Sequence, residues 1–247
     1  MSIRSTQLNH WFHTPLGKRL LQEEAETLQQ VLPQLFGYHL LQIGSIGAGC
    51  LLESSRIMHR CILTTTTSVT HSAFSHVHAA VTTLPFAQDS LDVVVLPHTL
   101  EFEENPHEIL REVERILIPE GYIVILGFNP ISLWGVWHWL RARYKPVAPW
   151  CGRFLPLLRL KDWLTLLDFE VTNQRTFFYA LPFHNDRLKN FTILLEKMSA
   201  HWLNNFGAVY LIVAKKRVAT LTPLKPKWWP KQTLVTGAMS THFEDHR

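Results

Sequence analysis

Short apolar runs alternate along this chain with stretches in which apolar residues return every three or four positions, the pattern of strands joined by crossover helices. Between Thr14-Pro15 and Phe36-Gly37, Leu20, Leu21, Ala25, Leu28 and Leu32 share one face. A threonine cap and a proline in the first turn complete the prediction of a helix packed at the sheet edge. Tyr38 opens a short apolar run that leads into a glycine-spaced turn and then a helix-compatible segment ending at Leu51. Leu91 to Leu96 is an apolar run suited to a strand buried on both faces. Asn105-Pro106 then starts a helix through Ile109, Leu110, Val113 and Leu117, which Pro119-Glu120-Gly121 should end before a strand at Tyr122 to Leu126. Gly207 to Ala214 is apolar and rich in strand formers, and predicts a final, antiparallel strand.

The chemistry concentrates in Gly44-Ser45-Ile46-Gly47-Ala48-Gly49. Residues without Cβ let the backbone turn sharply after a strand and come close to a ligand, and a following helix start would offer N–H groups to an anion. The spacing is Gly-x-x-Gly-x-Gly, and no Gly-Lys-Ser/Thr follows, so neither a nicotinamide dinucleotide fingerprint nor a phosphate-loop ATPase fits.

Downstream, Leu84-Pro85-Phe86 with Asp89-Ser90-Leu91-Asp92, and Glu112 to Gly121 with Glu112, Arg115, Ile116, Leu117, Pro119 and Gly121 in order, resemble the class I S-adenosylmethionine-dependent methyltransferases, most closely their type 11 subgroup. The resemblance covers about residues 38 to 130 and continues more weakly to 217. It implies an α/β, Rossmann-like, doubly wound fold with a mixed seven-stranded sheet and helical insertions after the fifth and sixth strands. Arg159 to Val171 is similar to the family's last helix running into its sixth strand, with Asp168-Phe169 where Gly-Phe is common. The implied division is a domain over 1–217, with a helical segment at 1–37 and insertions at 131–158 and 183–205, followed by an irregular basic tail at 218–247.

The implied cofactor is S-adenosylmethionine, held by Gly44, Ser45, Gly47, Gly49, Thr66, Ser68, Thr83, Leu84 and Pro97. His98, at the end of the fourth strand, is the candidate general base or nucleophile-orienting group. Three positions depart from the family pattern. Gln42, Thr64 to Ser68 and Ala80 to Thr83 are neutral where the family carries acids facing the cofactor. The implied activity is methyl transfer to a small-molecule acceptor. Two alternatives stay open: a member that has lost catalysis and serves as a binding scaffold, and an RNA-directed methyltransferase.

With 247 residues, 47% hydrophobic and 18% charged, the chain is long enough for one α/β unit with insertions. No apolar run reaches a membrane span and the N-terminus has no apolar signal core, so a cytoplasmic location is expected. Cys50, Cys61 and Cys151 form no Cys-x-x-Cys pair, which points to free thiols. His71, His76 and His78 lack zinc-site spacing and are expected at the surface or in loops, so no metal is assigned.

Charge is uneven. Residues 1–130 hold 7 Lys+Arg against 13 Asp+Glu, whereas residues 131–247 hold 17 against 7 and eight of the nine tryptophans. Ser132 to Tyr144, aromatic and basic, is placed to cover the mouth of the sheet as a buried cap helix, an interfacial helix making weak contact with a membrane surface, or a nucleic-acid contact. A pI near 9.0 is only modestly basic and disfavours the last.

Overall fold

Helix α1 (Ile3–Phe12) turns at Thr14 into α2 (Pro15–Val31), where the Thr14 hydroxyl accepts from the Gly17 N–H and a proline occupies the first turn. The structure, a computed structural model, describes residues 3–44, 46, 51–65, 74–141, 151–180 and 206–218. A short 3-10 turn, Leu32–Gln34, follows α2. Then come β1 (His39–Ile43), β2 (His59–Thr64), β3 (Ser75–His78), β4 (Leu91–Pro97), α3 (Thr99–Phe102), α4 (Pro106–Ile116) and β5 (Leu117–Phe128). Helices α5 (Leu133–Arg141) and α6 (Leu157–Leu166) precede β6 (Phe169–Phe177) and β7 (Val209–Lys216).

The strands form one seven-stranded sheet in the order β3-β2-β1-β4-β5-β7-β6. The first five in that order are parallel, and β7 runs antiparallel between β5 and β6. This is the mixed sheet the family resemblance implies. Alternation along β4 shows why Val93 to Leu96 is apolar without a break: Val94 and Leu96 join Ile109, Leu110 and Val113 of α4 on one face, while Val93 and Val95 join Leu28 and Val31 of α2 on the other. Helix α2 therefore covers the central strands rather than the expected edge. A third cluster, with Leu8, Phe12, Ile46, Phe102, Phe128 and Trp134, caps the end of the sheet where β1, β4 and β5 finish.

The motif residues that carried the resemblance prove to be braces. The Asp92 carboxylate accepts from the N–H groups of Tyr38 and His39, both at 2.9 Å, and so sets the start of β1. Arg115 pairs with Glu112 and donates to the carbonyls of Phe86 and Leu84 at 3.0 and 3.2 Å, while Glu112 accepts from the Leu84 N–H. Their pairing holds the Glu112 carboxyl below its ordinary range. The Lys216 ammonium ties β7 to α4 through Asp89, Glu114 and the carbonyl of Leu117.

Two expectations need correction. Helix α4 stops at Ile116, before Pro119-Glu120-Gly121, because Leu117 already pairs with Leu91; the ladder then resumes at Val93 and Tyr122, with Ile118 to Gly121 bulged out. His76 lies half-buried on β3 rather than at the surface or in a loop, while His78 on the same strand is exposed, as expected. In the bulge, Glu120 has φ +66, a conformation open to glycine without a Cβ penalty. Its ion pairs with Lys215 and Arg217 are solvent-exposed and weak. Glu120→Gly is therefore expected to raise the melting temperature by about 2 °C in a thermal scan.

The second insertion, at 183–205, and the 218–247 tail lie outside the described residues apart from Val218.

Candidate functional site

Where β1 ends, the chain crosses to β2 on one side and the neighbouring strand is β4 on the other, so the strand order reverses and a crevice opens at the carboxyl ends. A cavity with about 470 Å³ of empty volume lies there. Its walls are Gly44 and Ile46 after β1, Leu63 and Thr65 at the end of β2, Val81 after β3, and Pro97, His98 and Thr99 at the end of β4. Phe102 and Glu103, with Leu8 and Asn9 of α1, complete the lining.

Gly44 shapes the entrance. It has φ +109, its N–H donates to the Leu63 carbonyl at 2.9 Å, and a Cβ on it would stand 3.2 Å from the Thr99 hydroxyl oxygen. Gln42 replaces an acid beneath this turn: its amide donates to the carbonyls of Gly44 and Ile46 at 2.9 and 2.8 Å, while its Oε1 is buried without a hydrogen-bond partner. A carboxylate would have only acceptors at this point and could not make those two bonds. The neutral residue thus suits the turn that Gly44 and Ile46 begin.

His98 is the main correction within the site. Its Nε2 lies 2.7 Å from Glu24 of α2 and its Nδ1 3.0 Å from Glu101, and all three side chains are fully enclosed. Burial alone would lower its pKa, but the two glutamates outweigh it and push the value up to about 10. The ring is thus a charged strut with both nitrogens committed, which removes it as a general base. Its backbone still lines the cavity in a left-handed conformation, φ +50. Glu101 also accepts from the Phe128 N–H, so the cluster links α2, α3 and β5 under the cavity wall. Burial pushes the Glu101 carboxyl upward.

Of the other expected cofactor residues, Gly44 and Pro97 line the cavity. Ser45, Gly47, Gly49, Thr66 and Ser68 lie outside the described residues. Thr83 and Leu84 stand away from the walls: Thr83 is exposed and Leu84 is in the core, held by Glu112 and Arg115. Val81 takes their place because the turn Val81 to Thr83 brings the residue just after β3 to the crevice. Sequence reasoning also missed Glu103, although the acidic run Glu101, Glu103, Glu104 directly after β4 was a readable signal.

Helix α5 is buried on one side and exposed on the other. Trp134 is buried, donating from its ring N–H to the Ala180 carbonyl at 2.7 Å and stacking on Phe128, as in a cap helix. Leu133, Val136 and Trp139 are exposed, the last at 70%. Beside them an apolar hollow of about 750 Å³ is walled by Ile131, Leu133, Trp134, Phe178 and Phe206. No helix among the described residues is long and apolar enough to cross a membrane.

These residues fit S-adenosylmethionine: the turn at Gly44 leaves open a space that a Cβ would fill, and Asn9, Thr65, Thr99 and Glu103 put polar residues among the apolar ones of the wall. Comparison with known proteins agrees. The pattern of the Methyltransferase domain family matches residues 52–125. The uncharacterized protein YafS of Escherichia coli (strain K12) is 35% identical over 219 residues, covering 87% of this chain and 84% of that one. The Haloferax volcanii chain solved with the Trm112 methyltransferase activator has a TM-score of 0.63 at 15% identity, over 88% of this chain and 99% of that one. A SAM-dependent methyltransferase from Thermotoga maritima has a TM-score of 0.59 at 17% identity, over 86% and 96%. The structural likenesses show the shared fold.

Proposed function

The chain belongs to the class I S-adenosylmethionine-dependent methyltransferase family, and from that premise we propose that it methylates a small-molecule acceptor presented to the cavity between β1 and β4. The observation that carries the reading is the position of this cavity, at the reversal of strand order and entered over Gly44. Gly44, Ile46, Leu63, Thr65, Val81 and Pro97 would hold the cofactor. Ser45, Gly47, Gly49, Thr66 and Ser68 are assigned to it on the sequence reading. When bound, it supplies an electrophilic methyl group on sulfur.

The protein's part is positioning and exclusion of water. Leu8, Ile46, Leu63, Val81 and Phe102 make most of the wall apolar, so charge inside is poorly screened. A fixed acceptor gains from proximity alone, and an acceptor that is already nucleophilic needs no base, which agrees with the commitment of both His98 nitrogens. The apolar hollow beside α5 supports an acceptor with an apolar part. The exposed Leu133, Val136 and Trp139 are where a weak membrane-surface contact would be made. No lysine or arginine lines the cavity among the described residues, so an RNA acceptor draws no support from its walls.

Isothermal titration with S-adenosylmethionine and S-adenosylhomocysteine tests the reading. Dissociation constants of about 1–100 µM are expected, whereas absence of heat at about 1 mM ligand would leave the binding-scaffold alternative in possession of the fold.

A further inference from the structure

The ends of β1 and β2 present Gln42 and Thr64-Thr65, and neither can balance a positive charge. The cavity is nonetheless not neutral, because Glu103, the residue that closes α3, contributes a carboxylate to its wall. Glu103 is half-buried, and among the described lining residues it is the one anionic side chain. Two other polar residues of the lining are engaged: the Thr99 hydroxyl donates to the Ile43 carbonyl at 2.6 Å, and His98 is held by Glu24 and Glu101. A carboxylate in an apolar wall costs desolvation, and an opposite charge brought close to it restores that loss. Burial is the largest influence on the Glu103 carboxyl and pushes it upward, against the lowering effect of the positively charged chain terminus.

Resting on the methyltransferase reading, we propose that Glu103 is the charge-reading residue of the cavity: it replaces the strand-end acids and makes the site prefer a cationic sulfonium or amine ligand over its neutral thioether counterpart. S-adenosylmethionine carries one more positive charge than S-adenosylhomocysteine, so the residue would favour the unreacted cofactor and weaken the hold on its product. Its place on α3, two residues past Glu101, lets the buried His98 cluster fix the backbone that presents it.

The test is titration of wild type, Glu103→Gln and Glu104→Gln with S-adenosylmethionine, S-adenosylhomocysteine and sinefungin, which carries an ammonium group in place of the sulfonium. In Glu103→Gln the affinity for the two cationic ligands is expected to fall about tenfold, while that for the thioether stays within about threefold. Glu104, exposed and outside the cavity, serves as the control for net charge, and its variant should bind all three ligands like wild type. Glutamine keeps the shape of Glu103, and an unchanged melting temperature would confirm that the fold is intact. Equal losses for all three ligands, or none, would overturn the assignment of Glu103 while leaving the methyltransferase reading in place. A wild type that binds none of them would remove both.

Discussion

His98→Ala is expected to lower the unfolding free energy by about 3–5 kcal/mol in a urea titration, because it takes the cation from between two enclosed carboxylates. Glu24 already has one buried oxygen without a hydrogen-bond partner, and the substitution would strip the other as well. Alanine at φ +50 adds backbone strain, so His98→Asn, which tolerates the left-handed conformation, separates the loss of charge from the loss of geometry. Both variants should be destabilised, alanine more than asparagine. A wild-type-like midpoint in both would mean that the three groups are not coupled.

The same cluster sets a pH dependence. His98 has a folded pKa of about 10 against an ordinary 6.5, so its contribution is fully present below about pH 6.5 and is lost as pH rises toward 10. Glu101, also raised in the folded state, acts with the same sign, since an acid that prefers its proton when folded loses stability on deprotonation. Burial raises the Cys61 thiol and the Tyr210 hydroxyl, but both ordinarily titrate near or above pH 9, which leaves pH 6.5 to 9 to the cluster. Melting temperature should fall across that window in wild type; in His98→Asn the histidine's share of the fall is lost, and what remains is that of Glu101, whose carboxyl no longer has the His98 contacts that lower it.

Legibility followed the range of the interaction. Thr14-Pro15 marked the start of α2 because a cap and a first-turn proline act within four residues, and β4 was readable because burial on both faces leaves only apolar residues from Val93 to Leu96. The Glu112–Arg115 pattern was visible as a motif, yet its task, holding the Leu84–Phe86 turn against α4, depends on contacts spanning about thirty residues. The end of α4 was misread for a similar reason. Proline and glycine at 119 and 121 are strong local stop signals, but pairing of Leu117 with Leu91 begins the strand first.

The site was less legible than the fold. Its position followed from the glycine turn, since only a residue that accepts φ +109 can lead from β1 over the crevice. The fate of His98 could not be read, because Glu24 lies 74 residues away and the local sequence shows merely a histidine at a strand end. The three neutral strand-end positions suggested a weakened cofactor site. Packing gives a different account: Gln42 has become a donor to its own loop, and an acid has entered the wall from α3 instead. Helix α1, with little helical amphipathicity, gave no signal of its own, and its place over the cavity depends on Leu8 and Phe12 packing with Ile46, Phe102 and Phe128.

Gly44→Val is expected to reduce S-adenosylmethionine affinity by at least about 100-fold, corresponding to about 2.7 kcal/mol. Two effects combine. At φ +109 a side chain is strained whatever the space around it, which costs about 1–3 kcal/mol of stability. The branched group would also start 3.2 Å from the Thr99 hydroxyl and 3.9 Å from the Pro97 carbonyl, and extend into the volume assigned to the ligand. Gly44→Ala bears the strain with a smaller intrusion and should lose stability comparably but affinity less. Thr99→Ala removes the nearest neighbour and leaves the glycine, so it should bind nearly as wild type, apart from the lost bond to the Ile43 carbonyl. The order wild type, Thr99→Ala, Gly44→Ala, Gly44→Val in affinity, with the two Gly44 variants close in melting temperature, separates blockage of a cavity from damage to the fold. If Gly44→Val remained folded and bound the ligand as wild type does, the cofactor would have to lie elsewhere than over the end of β1.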